Sequence, residues 1–121
     1  MNWILVFVGG GLGSATRYGL QKLVPALSSF SAVPAAWATL SANALASALL
    51  AAWMWKFGSQ HPAHAAVAIG FCGGLSTFST WSLELATWFR AGQWPQALAY
   101  AALSVLLGLL PFWVWSVSAA K

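Results

Sequence analysis

Three long stretches without a single charge constrain this chain more than anything else in it. No charged side chain occurs from Leu23 to Trp55, from Phe57 to Leu83, or from Ala91 to Ala120. Each stretch exceeds the ~20 residues an α-helix needs to cross the hydrocarbon core of a bilayer. Charged residues make up 5% of the 121 positions, against about 25% in a soluble domain. The pattern predicts a single-domain, all-α, multi-pass integral membrane protein spanning residues 1–121, with transmembrane helices over about 3–24, 34–55, 63–90 and 95–117.

The five basic residues are scattered and form no patch, which excludes a nucleic-acid partner. A single cysteine, Cys72, excludes an internal disulfide and reads as a packing residue. The N-terminal segment has no basic n-region and no small-residue cleavage site, so it reads as a first membrane helix rather than a removable signal. No nucleotide loop, acid pair or nucleophile–base set is visible, so nothing points to an enzyme.

In the second of these stretches, and ending on the charge that closes it, Gly70–Glu84 reads GFCGGLSTFSTWSLE. A run so rich in glycine and hydroxyls is tolerated at membrane depth only where its backbone faces protein or a water-filled cavity. Gly73-Gly74 predicts a break in helix three, and such breaks are where membrane proteins build ion and substrate sites. Carbonyls freed at the break would suit a cation; exposed amides would suit an anion. Phe78 and Trp81, three apart, share a face of the resumed helix. Their rings have partially positive edges that could contact an anion, although spacing alone favours core packing for such a pair. Glu84 is the only acid in the chain; pairing with Arg17 or Arg90 and a place at a pore mouth both remain open.

Elsewhere the polar residues are sparse enough to be informative. Gly9 and Gly13, and again Gly70 and Gly74, have the GxxxG spacing that lets helices approach closely in lipid; these faces need partners, and oligomerisation is expected. Pro25 with Ser28, Ser29 and Ser31 marks the first loop. On helix two Thr39, Asn43 and Ser47 recur every four residues as one polar stripe; the hydroxyls could bond within the helix, but the Asn43 amide requires a partner or a polar path. His61 and His64 flank Pro62 in the second loop, without a third metal ligand nearby. Tyr100 and Ser104 continue a polar face on helix four, with Gly108 next in the row. Trp81 alone among the tryptophans sits away from a helix end. Lys56 and Lys121 lie on one side and Arg17, Lys22 and Arg90 on the other, a bias too small to fix orientation. Insertion in both orientations and antiparallel pairing follow as expectations.

GGGLGSATRY at Gly9–Tyr18, TLSAN at Thr39–Asn43 and GFCGGLSTFSTWSLE at Gly70–Glu84 resemble the CrcB/Fluc fluoride channels, over all four helices in order. The resemblance implies a passive fluoride channel of the bacterial inner membrane, relieving fluoride toxicity. It further implies an antiparallel dual-topology homodimer with two pores and a central structural sodium ion. By that likeness Gly73 and Ser76 offer the sodium their backbone carbonyls, Phe78 and Trp81 take the two aromatic box positions, and Asn43 is the pore asparagine. Ser79, Thr80, Tyr100 and Ser104 line the polar track, and Thr39 and Glu84 are added to the ion pathway. The chain departs from the family at Trp81 (usually Phe), Ser76 (usually Thr), Gly108 (often Ser), and Ala38 and Ala46 (usually Gly). Two rivals are a small multidrug transporter, which needs an embedded carboxylate that helix one lacks, and a non-transporting membrane scaffold.

Overall fold

The computed structural model describes residues 2–27 and 35–119. The helices are α1 (Asn2–Leu27), α2 (Ala36–Lys56), a π-helix (Ala65–Cys72) continuing directly into α3 (Gly73–Leu75), α4 (Phe78–Arg90) and α5 (Trp94–Ala119). No strand occurs among the described residues. Ser28, Ser29 and Ser31 of the expected first loop lie outside them, as does Lys121. The structure is all-α, and Ala36–Lys56, Ala65–Arg90 and Trp94–Ser118 are long and apolar enough to cross a membrane. Helix α1 is 26 residues long but falls short of that hydropathy, because its glycines and Arg17 dilute its apolar content. It also runs past Pro25, the expected start of the loop, to Leu27.

What glycine does here is visible where α1 crosses the third pass. Gly9 and Gly13 are the buried residues of α1. A methyl group on Gly70 would stand 2.9 Å from Val6 O and 3.1 Å from Gly9 Cα, and one on Gly74 would stand 3.0 Å from Gly10 Cα. The two GxxxG faces therefore pack backbone against backbone within one chain, and Ser14 Oγ donates to Gly74 O at 3.4 Å across the seam. The partners that these faces need are found within the chain: each is the other's. Close approach of this kind strengthens dispersion where lipid leaves no hydrophobic drive between helices.

Alanine plays a similar part on α2, where Ala38 and Ala42 are fully buried and Ala46 nearly so. Ala42 and Ala46 enclose Leu75, with Leu20 and Phe71 packed around them. A second cluster joins Ala36, Leu40, Leu85, Ala97 and Tyr100. Most large apolar side chains, including Trp3, Phe7, Leu106 and Trp113, instead point outward, as they do in a bundle whose solvent is lipid.

The third pass is interrupted by two residues. Ser76 (φ −77°, ψ 155°) and Thr77 (φ −150°, ψ 116°) are extended, so the chain leaves the helix at Leu75 and re-enters it at Phe78. Thr77 caps the re-entry by accepting from Thr80 N at 3.3 Å. Helix α4 closes on left-handed Gly92 (φ 72°). There Gly92 N donates to Phe89 O at 3.1 Å and Gln93 N to Trp88 O at 2.9 Å, the paired bonds of a Schellman motif. Pro95 then falls in the first turn of α5, where its missing N–H costs nothing.

In the second loop, His61 packs against Trp53 (ring centroids 5.2 Å) and Phe57 (4.9 Å), and its Nδ1 accepts from Ala63 N at 3.1 Å. No group of three or more potential metal ligands occurs among the described residues. His61 is part of how the loop folds.

Candidate functional site

The break at Ser76–Thr77 leaves peptide groups without helical partners, and Asn43 supplies them. Thr77 N donates to Asn43 Oδ1 at 2.7 Å, and Asn43 Nδ2 donates to Thr77 O at 3.3 Å. A side-chain amide matches a peptide because it offers one acceptor and donors in the same plane. The Thr77 hydroxyl donates to Thr80 Oγ1 at 3.1 Å and lies 3.3 Å from Ser79 Oγ. The sequence reading places Asn43, Ser79 and Thr80 in the site but omits Thr77, on which all three converge. Its signal is a hydroxyl residue three before Thr80, the spacing of an N-cap.

Beside this clasp lies a cavity of ≈ 300 Å³ whose lining includes Asn43, Ser47, Thr77, Phe78, Trp81 and Ser104. The Phe78 and Trp81 rings sit 5.2 Å apart, tilted by 37°. Phe78 is 77% exposed, so the cavity is open where that ring stands. Gly108 reaches the same wall, and a methyl group there would be 3.8 Å from Ser47 Oγ.

From the cavity a hydrogen-bond chain continues toward the start of α5. Trp81 Nε1 donates to Ser104 Oγ at 3.0 Å, and Ser104 Oγ donates to Tyr100 O at 2.7 Å. Tyr100 O–H donates to Glu84 Oε2 at 2.7 Å, and Thr39 Oγ1 donates to Glu84 Oε1 at 2.8 Å. The considered pairing of Glu84 with Arg17 or Arg90 is thus corrected. Its two carboxylate oxygens are held by hydroxyls from α2 and α5, and Thr39 is fully buried. Hydroxyls win because they reach the carboxylate without bringing a second charge out of water.

Gly73 and Ser76 lie at the same break and are exposed. The amide that would close a helical turn on Gly73 O is that of Thr77, which donates to Asn43; in its place the Ser76 hydroxyl reaches Gly73 O, at 3.4 Å. The amide in register with Ser76 O is that of Thr80, which donates to Thr77 Oγ1. Two carbonyl oxygens are thereby left at the surface with lone pairs to offer, a donor set that fits a hard cation.

Among the described residues, no lysine or arginine lines the cavity. Its walls offer amide, hydroxyl and indole donors and ring edges, a set able to replace the water around a small anion without a fixed charge to trap it.

A family model described as "CrcB-like protein, Camphor Resistance (CrcB)" matches residues 4–115. A fluoride-specific ion channel FluC of Bacteroides fragilis is 34% identical over 110 residues, covering 88% of this chain and 87% of the relative. The FluC of Pyrococcus furiosus is 38% identical over 106 residues, 84% of this chain and 82% of its own. The FluC of Salmonella arizonae is 33% identical over 126 residues, 98% and 96% of the two chains. With a family match across nearly its whole length and relatives this similar over most of theirs, the chain belongs to the CrcB-like protein family.

Proposed function

We propose that this protein is a fluoride channel that lets the ion leave the cell passively across the cell membrane, relieving fluoride toxicity. The observation that carries the reading is the succession of polar groups from the Asn43–Thr77 clasp, across the cavity it shares with Phe78, Trp81 and Ser104, to Tyr100, Glu84 and Thr39. Fluoride is small and strongly hydrated, and a path that conducts it must replace water at several successive points while binding weakly at each. That the relatives are named fluoride-specific ion channels supports the choice of ion. A drug-exporting transporter needs a carboxylate free to exchange protons and cations; Glu84 has both oxygens engaged.

The working unit of this proposal is an antiparallel homodimer in the lipid bilayer with two ion paths. The exposed Phe78 ring on an open cavity supports it, because a pore needs a wall where this chain alone has none. A structural sodium ion would sit at the break, held by the Gly73 and Ser76 carbonyls of each copy. It would supply a fixed positive charge that ties the two breaks together. The amides of Thr77 and Thr80 keep those carbonyls available by donating elsewhere.

The test is fluoride release from liposomes containing the purified protein, read with a fluoride electrode, with chloride release as control. Rapid fluoride release with little chloride is expected. A folded protein that releases neither would leave the scaffold reading in its place.

A further inference from the structure

The donor chain does not stop at Glu84. Tyr100 is buried to 7% exposure, and it forms one wall of a second cavity, ≈ 380 Å³, between the start of α2, the end of α4 and the start of α5. Besides Tyr100, the polar lining of this cavity is Gln93 and Gln96; Trp37 and Trp88 form its aromatic sides. Tyr100 thus belongs to the cavity, donates to Glu84 through its hydroxyl, and accepts from Ser104 at its main-chain carbonyl.

Helical spacing makes these residues one feature. Gln96, Tyr100 and Ser104 follow one another at four-residue steps on one face of α5, and Gln93 stands immediately before that helix, on the same cavity as Gln96 and Tyr100. The polar stripe on α5 therefore extends from Ser104 to the exposed Gln96, and the exposed Gln93 carries it into the turn before the helix. The position of Gln93 is fixed twice. Its N–H donates to Trp88 O at 2.9 Å in the Schellman turn, and its C=O accepts from Ala97 N at 3.1 Å as α5 begins. Trp88 is in turn packed edge-on against Tyr100, ring centroids 5.2 Å apart at 70°. Gln93, Trp88 and Tyr100 are held in one unit.

We infer that this cavity is the second mouth of the ion path, where the side-chain amides of Gln93 and Gln96 exchange donors with the hydration shell of a small anion on its way to or from Tyr100. The inference rests on the fluoride-channel reading and adds to it where the ion meets water at the α5 end. Neutral amides suit such a mouth, since they donate to an anion without a formal charge that would hold it. Among the described residues the lining again contains no lysine or arginine, the same choice made at the Asn43 cavity.

The experiment places a single cysteine at Gln96 (Gln96→Cys) and, separately, at Gln93 (Gln93→Cys), and measures fluoride efflux from liposomes before and after an anionic methanethiosulfonate reagent is added on both sides. Native Cys72 is 3% exposed, so the reagent-treated parent protein is the control. Each cysteine protein serves as its own folding check, since it must conduct before treatment. Efflux falling about tenfold or more on modification at both positions, with the parent unaffected, is the expected result, because a fixed negative charge in a narrow mouth repels the conducted anion. A neutral reagent of similar size should inhibit less. Efflux unchanged by the charged reagent at both positions, in a parent that conducts fluoride, overturns the mouth and leaves the channel standing. A parent that conducts no fluoride overturns both.

Discussion

Asn43 and Thr77, 34 residues apart in sequence, are joined by two hydrogen bonds that together replace a missing helical turn. Each does for the other what neither could find within its own helix. Asn43→Ala should leave one buried amide N–H and one carbonyl unpaired, at roughly 1–3 kcal/mol for each group. Bonds inside a membrane measure at the lower end, about 0.6 kcal/mol on average. Lower thermal stability in detergent, together with fluoride efflux reduced more than stability explains, is expected. Full efflux from the alanine variant would show that the path does not pass this clasp.

Trp81→Phe separates the two things the indole does. The substitution keeps the ring beside Phe78 and removes the 3.0 Å donation to Ser104, worth about 0.5–1.5 kcal/mol. The Ser104 hydroxyl still donates to Tyr100 O at 2.7 Å, and the smaller ring leaves more room in the cavity that Trp81 and Ser104 line. Fluoride efflux should stay level or rise. A fall of about tenfold would instead mean that the indole N–H itself contacts the ion.

Thr39→Val and Tyr100→Phe each remove one hydroxyl from a different oxygen of Glu84. Because the two hydroxyls share one carboxylate, their effects should not add. A double-mutant cycle on thermal stability is expected to give a coupling of about 0.5–3 kcal/mol. Strict additivity would argue that the carboxylate moves to water once either hydroxyl is lost.

Gly70→Ala and Gly11→Ala test the helix seam. A methyl at Gly70 meets Val6 O at 2.9 Å, backbone that cannot step aside, whereas Gly11 has nothing within 4 Å. Gly70→Ala should cost about 1–3 kcal/mol, as overpacking does, and reduce the yield of folded protein on size-exclusion chromatography. Gly11→Ala should be indistinguishable from the parent.

Replacing sodium by a large organic cation throughout purification tests the proposed ion at the break. A cation too large for the Gly73 and Ser76 carbonyls should shift the dimer toward monomer and lower the melting temperature, reversibly on return of sodium. A dimer indifferent to the exchange would remove the ion from the proposal.

Much of this site can be read from the sequence, because the chain is so apolar that each polar residue in a span needs a reason. Asn43, Ser104 and Tyr100 stand out on that ground alone. Partners are harder to read than members. Glu84 suggests an arginine because charge complementarity acts at a distance, yet the structure satisfies it with hydroxyls, whose reach depends on helix rotation that spacing does not reveal. Thr77 escapes notice because threonine is ordinary in a membrane helix; its importance comes from standing outside the helix. The glycine motifs likewise declare that two backbones will meet without saying which two.

The pairing of those glycines bears on how the protein is made. The surface that receives Gly9 and Gly13 of α1 is the segment beginning at Ala65, which a ribosome completes only after α2 has emerged. Until then the glycine face of α1 lacks the backbone that it packs against in the finished structure. The packing of α1 on its glycine face therefore waits for a segment that lies two helices further along the chain.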